Sequence, residues 1–331
     1  MIGLAKLAPG PGHVRLAERA ERPPGPGEVL IGVRRAGICG TDLHIEAAEF
    51  PCEPPVTMGH EVCGVVTELG DGVDEAWLGL RVVCETYYST CGTCPLCRDG
   101  RRNLCPRRRS IGSFVDGAFA PRLIVPARNL HCAPAALGDE ACTLIEPLAC
   151  LTNCLLDPNA VAPGNDVLVT GPGPVGLLAA QLARAAGGHV TVVGLPSDVV
   201  RLGAATRLGF ATETTPDGES ADVVLECSGT AGGAVTCLEA ARRGGRYVQV
   251  GIFGRDVTVP LDRIVEKELV VSSGFASTPR SWLQALAVAD TGALDLEGLV
   301  SEVVPLASWE DAFASLRAGR AVKIVFDPGL T

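Results

Sequence analysis

Short apolar runs set off by glycine and proline fill residues 1–150. EVLIGVRRAGI (28–38), GHEVCGVVTELG (59–70), LRVVCE (80–85) and PRLIVPA (121–127) are rich in β-branched residues and bounded by turn formers. They read as strands of an irregular, mostly β domain. From residue 151 the texture changes. DVLVTGPGPVGLLAAQLARAAGG (166–188) is a buried strand, a glycine turn and a helix with an apolar face. HVTVVGL (189–195), ADVVLECSG (221–229), GRYVQVGIF (245–253) and LVVSSGFAS (269–277) follow, with helical stretches between several of them. Such alternation predicts an α/β domain, a doubly wound parallel sheet with helices on both faces. PRSWLQALAVADTGAL (279–294) is a further helix. VSEVVPL, WEDAFASLRAG and AVKIVFD close the chain as strand, helix and strand.

Composition narrows the field. The chain has 331 residues, 47% of them apolar, enough for two domains with separate cores. Its 28 basic and 38 acidic side chains give a net charge of −10, which repels a phosphate polyanion and argues against nucleic acid as a partner. The local exception, Arg101, Arg102, Arg107, Arg108 and Arg109, reads as a solvated or subunit-contact loop. No apolar run reaches the ~18 residues of a membrane-spanning helix. The start, MIGLAKLAPGPGHVRL, lacks a basic stretch followed by a long apolar one, so the expected location is the cytoplasm. Fourteen cysteines in a reducing compartment read as metal ligands where they cluster. Where they scatter (Cys52, Cys63, Cys84, Cys132, Cys142, Cys150, Cys154, Cys227, Cys237) they read mostly as small buried hydrophobes.

One cluster stands out. Cys91, Cys94, Cys97 and Cys105 have the spacing C-x2-C-x2-C-x7-C. Four thiolates close a tetrahedron around zinc with no vacant position, which shapes a loop and leaves nothing for substrate. The spacing does not match the ferredoxin iron–sulfur runs. A catalytic zinc needs about three protein ligands and an open place for water or substrate. AGICGTDLH supplies Cys39, Thr41 and His44; MGHE supplies His60 and Glu61; LIEPLAC supplies Glu146. Taken singly, each has a plain structural explanation, and sequence order alone does not join them.

Gly171-Pro172-Gly173-Pro174-Val175-Gly176 fits G-x-G-x-x-G after a strand and before a helix, the context a dinucleotide pyrophosphate requires. The next strand would normally end in an acid for the adenosine ribose. Here it ends in Gly194-Leu195-Pro196. Leu195, Ser197 and Arg201 then face the choice between a ribose hydroxyl and a 2′-phosphate, while Asp198 offers a displaced acid. NAD and NADP both stay open.

In sum, GICGTDLH, GHE, the four-cysteine lobe, EPLA and GPGPVG, in that order, resemble the zinc-dependent medium-chain dehydrogenases of the alcohol dehydrogenase superfamily over essentially the whole chain. The glutamate in EPLA is similar to the polyol (sorbitol-like) and threonine dehydrogenase branches. The resemblance implies a GroES-like catalytic domain of residues 1–150, rejoined by 279–331, around a Rossmann domain of 151–278. It implies two zinc ions per chain. Cys39, His60 and either Glu61 or Glu146 would hold the catalytic one, with a water between the metal and the other acid. The four-cysteine lobe would hold the structural one. Thr41 and His44 match the family's proton relay. Ser228, Val250, Gly251, Gly274 and Phe275, at the ends of sheet strands, would meet the cofactor beside its nicotinamide.

The implied reaction is hydride transfer between a secondary alcohol and NAD(P), with zinc acting as a Lewis acid on the hydroxyl. EAAEFPCEPPV after GICGTDLHI lacks the aromatic residues usual in threonine dehydrogenases, which favours a polyol, sugar or cyclitol; L-threonine 3-dehydrogenase-like oxidation is the alternative. A zinc-free reductase would lack this ligand set. A non-enzymatic zinc-binding interaction protein would not explain the glycine turn. Relatives of this kind form homo-oligomers, tetramers or dimers.

Overall fold

The computed structural model describes residues 1–330. The chain divides into two compact units: Met1–Glu146 with Val300–Arg317 and the segment from Lys323, and Pro147–Leu299 with Ala318–Val322.

The first unit is built on a seven-stranded sheet. Its centre is the strand Glu28–Gly37, in which Val29, Leu30 and Ile31 are all buried. The strand begins with a short apolar run, Val29 to Val33, while Arg34 in its second half is exposed. It pairs antiparallel with Glu61–Leu69 on one side. On the other it pairs first with Arg122–Pro126 and then, at Ala36 and Gly37, with Lys323–Asp327. That last pairing carries the C-terminal strand to the end of the central one, beside Ile38 and Cys39. A three-stranded sheet of Ile2–Lys6, Val14–Glu18 and Val56–Thr57 completes the β-rich character.

The second unit is a six-stranded parallel sheet. Its strands are β1 (Asp166–Thr170), β2 (His189–Val193), β3 (Ala211–Glu213), β4 (Ala221–Glu226), β5 (Ala241–Gln249) and β6 (Val270–Ser273). They lie in the order β3-β2-β1-β4-β5-β6, the doubly wound arrangement with its reversal between β1 and β4. Thr170 ends β1 and Gly171 turns the chain with φ +86. A Cβ at Gly171 would come within 2.6 Å of Ser228 Cα, so glycine is required both for the turn and for the approach of the neighbouring loop. The helix Pro174–Ala185 then begins with proline in its first turn and buries Leu177, Leu178 and Leu182.

The border between the units falls later than the sequence pattern indicates. Residues 279–299 remain with the parallel sheet. The helix Pro279–Asp290 opens with a reciprocal Thr278–Ser281 cap and buries Trp282 completely. Thr152 Oγ1 donates to the Ser281 carbonyl at 2.7 Å, and Asp295 N–H donates to Gln181 Oε1, also at 2.7 Å. These long-range contacts fix the helix to its unit, and a local pattern cannot show them.

Candidate active site and metal centres

Cys39 is the residue just before the helix Gly40–Glu46, with extended backbone angles. Asp42, in the first turn of that helix, accepts the Cys39 N–H through Oδ2 at 2.9 Å. Its other oxygen accepts the Gly59 N–H at 3.3 Å and lies 3.9 Å from His60 Nδ1. Asp42 is fully buried, and burial pushes its carboxyl up. One acid thus ties GICGTDLH to MGHE. Gly59 has φ +89, and a side chain there would run into the ring of Phe119. The chain can therefore turn at Gly59 and present His60 toward Cys39.

The result is a compact donor set. One ligand atom each from Cys39, His60 and Glu61 lies within 4.8 Å of the others. Burial opposes a charge on His60. The sulfur of Cys39 and the carboxylates of Asp42 and Glu146 outweigh that and hold the imidazole well above its ordinary range. A metal arriving here displaces a proton. Glu146, in the first turn of the helix Ile145–Leu155, is buried and near enough to act on His60, but it stands outside the three-residue group. Glu61 is also occupied from the far side. Its Oε2 pairs with Lys323 Nζ, both side chains being 1% exposed, and Lys323 donates in addition to the Ile38 carbonyl at 2.8 Å. Thr41 Oγ1 sits 3.7 Å from Cys39 Sγ. His44 is farther out, with Nδ1 2.7 Å from Glu49 Oε2 at the surface.

The second cluster is local. Donor atoms of Cys91, Cys94, Cys97 and Cys105 lie within 4.8 Å of one another. Cys91 Sγ is 3.9 Å from Cys97 Sγ and 3.6 Å from Cys105 Sγ. A zinc–sulfur bond of ~2.3 Å in a tetrahedron puts the sulfurs roughly 3.8 Å apart, so the set fits a closed zinc site. Backbone N–H groups donate to the sulfurs: Cys94 to Cys91 at 3.3 Å, Cys97 to Cys94 at 3.4 Å and Cys91 to Cys105 at 3.4 Å. The N–H groups of Cys94 and Thr93 pull the Cys91 thiol down to about 5, so it is a thiolate at neutral pH.

In the parallel-sheet unit, Gly171, Gly173, Pro174, Val175 and Gly176 form the turn and the first turn of its helix. A Cβ at Gly173 would meet nothing within 4 Å, which leaves the open cradle a pyrophosphate needs. Ser228, Val250 and Gly251, and Gly274 and Phe275, follow the C-terminal ends of β4, β5 and β6, on the same edge of the sheet. The ribose position is different. A Cβ at Gly194 would come within 2.8 Å of Pro172, so this strand end has no room for an acid. Asp198 turns back to accept the Leu195 N–H at 2.8 Å. Leu195 and Ser197 are exposed, while Arg201 Nε donates to the Ala321 carbonyl at 3.1 Å and its guanidinium is partly buried.

Two residues of the site carry no mark in a motif search. Asp42 lies inside GICGTDLH, and its only signal is an acid three residues past a helix start. Lys323 is 262 positions from Glu61, and its only signal is a charge among the apolar residues of AVKIVFD.

Comparison with known proteins matches residues 25–135 to the alcohol dehydrogenase GroES-like domain and residues 174–291 to the zinc-binding dehydrogenase domain. The chain is 37% identical to a sorbitol dehydrogenase of Halalkalibacterium halodurans, covering 99% of both. It is 34% identical to an L-threonine 3-dehydrogenase of Pyrococcus horikoshii, covering 98% of both. Among solved structures, a zinc-binding dehydrogenase of Sinorhizobium meliloti bound to NADP superposes with a TM-score of 0.88 at 31% identity, covering 99% of both chains.

Proposed function

Because the chain belongs to the zinc-binding dehydrogenases with an alcohol dehydrogenase GroES-like domain, we propose that it oxidises a secondary alcohol of the polyol, sugar or cyclitol type with NAD(P). The observation that carries the reading is the convergence of Cys39, His60 and Glu61 within 4.8 Å. A thiolate, an imidazole and a carboxylate suit zinc and leave a position open. When bound there, zinc supplies Lewis-acid polarisation of a hydroxyl, and the dinucleotide supplies the hydride acceptor. The protein's part is to hold these groups. Asp42 fixes Cys39 and His60, Lys323 balances Glu61, and Glu146 stands behind the group across a water. Thr41 and His44 take the hydroxyl proton outward. Gly171 to Gly176 and the loops after β4, β5 and β6 seat the dinucleotide.

The likeness to a sorbitol dehydrogenase supports a polyhydroxylated substrate over an amino alcohol. The end of β2 carries no acid of its own, but Asp198 accepts the Leu195 N–H beside it and Glu213 ends the neighbouring strand opposite Val193, so the test covers both dinucleotides. The test is a panel of polyols, cyclitols, simple secondary alcohols and L-threonine, each run with NAD and with NADP. Turnover of a polyol, with kcat/KM at least about tenfold above that for L-threonine, is expected. Turnover of L-threonine alone would reassign the substrate, and silence on every alcohol with both dinucleotides would defeat the reading.

The four-cysteine lobe belongs to this proposal as the seat of a second, structural zinc. Cys97→Ser is expected to remove one metal ion per chain and to lower the melting temperature by several degrees. The other ion and the chemistry at Cys39 would survive below that temperature. Metal analysis and calorimetry check this; unchanged metal content would refute the assignment.

Clustered cysteines placed as metal ligands suit a reducing compartment, the cytoplasm. No helix among the described residues is long and apolar enough to cross a membrane. Assembly as a homo-oligomer, a tetramer or dimer, is supported by the edge strand β6, where Val270 and Val271 are 50% and 47% exposed. Sedimentation at micromolar concentration tests it.

A further inference from the structure

Glu226 ends β4 and has no exposed surface. Buried carboxylates normally face a cation. The hydrogen-bond partners of this one are all neutral. Oε1 accepts the Ser228 N–H at 2.9 Å and also the Ser228 hydroxyl, and the Thr170 hydroxyl lies at 3.5 Å. Oε2 accepts Gln249 Nε2 at 2.7 Å and the Gly229 N–H at 3.2 Å. Gln249 is held in that orientation because its own Oε1 accepts the Tyr247 hydroxyl. The main-chain oxygen of Glu226 accepts the Val250 and Gly251 N–H groups at 2.9 and 2.8 Å. The surroundings are too tight for change: a Cβ at Gly251 would reach within 2.6 Å of Glu226 Oε2, and one at Gly233 within 2.7 Å of Oε1.

So many donors converging on two oxygens describe an acceptor-only group, the ionised carboxylate. Hydrogen bonds stabilise its charge without cancelling it, and a low-polarity interior screens that charge poorly. Its place in the sheet gives the charge a target. The adenosine half of a dinucleotide lies over β2, whose end meets the ribose. The nicotinamide half then lies on the other side of the reversal, over β4 and β5, where Glu226 sits. The two oxidation states of that ring differ by one positive charge.

Resting on the dinucleotide reading above, we propose that Glu226 is a positioning residue whose uncompensated buried charge makes the site prefer the oxidised, cationic nicotinamide over the reduced, neutral one. It also ties together the loops at Ser228 and Gly251. The oxidised cofactor gains attraction that the reduced one does not, so the site fills with the oxidised form and releases the reduced one more readily, while the bound hydride-transfer equilibrium shifts toward the oxidised cofactor by the same factor.

The test is direct binding to the zinc-loaded protein, without turnover, of NAD and NADH and, in parallel, of NADP and NADPH. Glu226→Gln is expected to weaken binding of the oxidised form about tenfold, the scale of one charge acting across two strands. Binding of the reduced form should change less than about threefold. Glu226→Gln combined with Gln249→Glu returns a carboxylate to the same hydrogen-bonded pair and is expected to restore the original ratio. A structural role alone would weaken both forms together and would not be rescued; either result overturns the proposal. Should the single variant fail to fold, the unaltered protein still decides. A dinucleotide whose pyridinium nitrogen is replaced by carbon keeps the shape and loses the charge, and it should bind about tenfold more weakly than the oxidised cofactor. Equal binding overturns the proposal. If the unaltered protein binds neither oxidation state of either dinucleotide, the cofactor reading itself fails; if it binds both and the ratio stays fixed in the variant, only the role of Glu226 fails.

Discussion

Cys39→Ser is expected to lower kcat/KM on the preferred alcohol by about three to four powers of ten. Serine keeps the shape but offers a hydroxyl where a soft, charged sulfur stood, and zinc binds such a group poorly. His60 and Glu61 remain, yet two donors hold the ion far less tightly than three. Without it the substrate hydroxyl must lose its proton near its ordinary, very high pKa. The several kcal/mol that a Lewis acid contributes would be lost, at about 1.4 kcal/mol for each factor of ten. Metal content should fall by one ion per chain, while the four-cysteine ion stays. Dinucleotide affinity should stay within about twofold, because Gly171 to Gly176 and the strands β1 to β6 belong to a separate compact unit. Steady-state rates, metal analysis and a binding titration on the same preparation check all three. A variant that kept near-normal rates would remove Cys39 from the chemistry.

Lys323→Met should be the most damaging single change to stability outside the metal ligands. Methionine fills similar volume but strands the Glu61 carboxylate, which is 1% exposed. Removing one partner of a buried pair costs about 3–5 kcal/mol, because the remaining charge is left without compensation. For units of this size, 1 kcal/mol moves the melting temperature by roughly 2–4 °C, so a fall of about 10 °C is expected in the metal-free protein. The loss should be smaller with zinc bound, since the ion itself supplies positive charge beside Glu61. Glu61→Gln added to Lys323→Met should recover much of the metal-free stability, because the stranded charge is gone. Calorimetry on the four combinations, with and without zinc, measures the coupling. Equal losses in the two metal states would show that Glu61 does not face the ion.

The architecture could be read from the chain because its signals are local. Asp166–Thr170, His189–Val193 and Ala221–Glu226 are short, mostly apolar runs, and GPGPVG marks a turn that must be made by glycine. The four-cysteine lobe is legible for the same reason, since its ligands span only fifteen positions. The proposed open metal site is less so. Cys39, His60 and Glu61 meet through the antiparallel register of Glu28–Gly37 with Glu61–Leu69, and no local pattern encodes a register. Between Glu61 and Glu146 no local pattern chooses, and only the fold shows that a Glu61 oxygen lies within 4.8 Å of the Cys39 and His60 donors. Lys323 and Glu226 were invisible because a charge in an apolar run looks like an exception until its partners are seen. The unit border at 300 was displaced for a related reason: the helix Pro279–Asp290 has an apolar face that suits either unit, and only Trp282 and its neighbours decide.

The pairing of Lys323–Asp327 with the end of Glu28–Gly37 has a consequence for how the protein is made. Synthesis delivers Cys39, His60 and Glu61 early and their counter-charge 262 positions after Glu61. A nascent chain carries the buried acid through all of that length before the lysine that neutralises it leaves the ribosome. A chain that stopped anywhere short of Lys323 would possess every proposed ligand yet lack the strand that makes one of them tolerable.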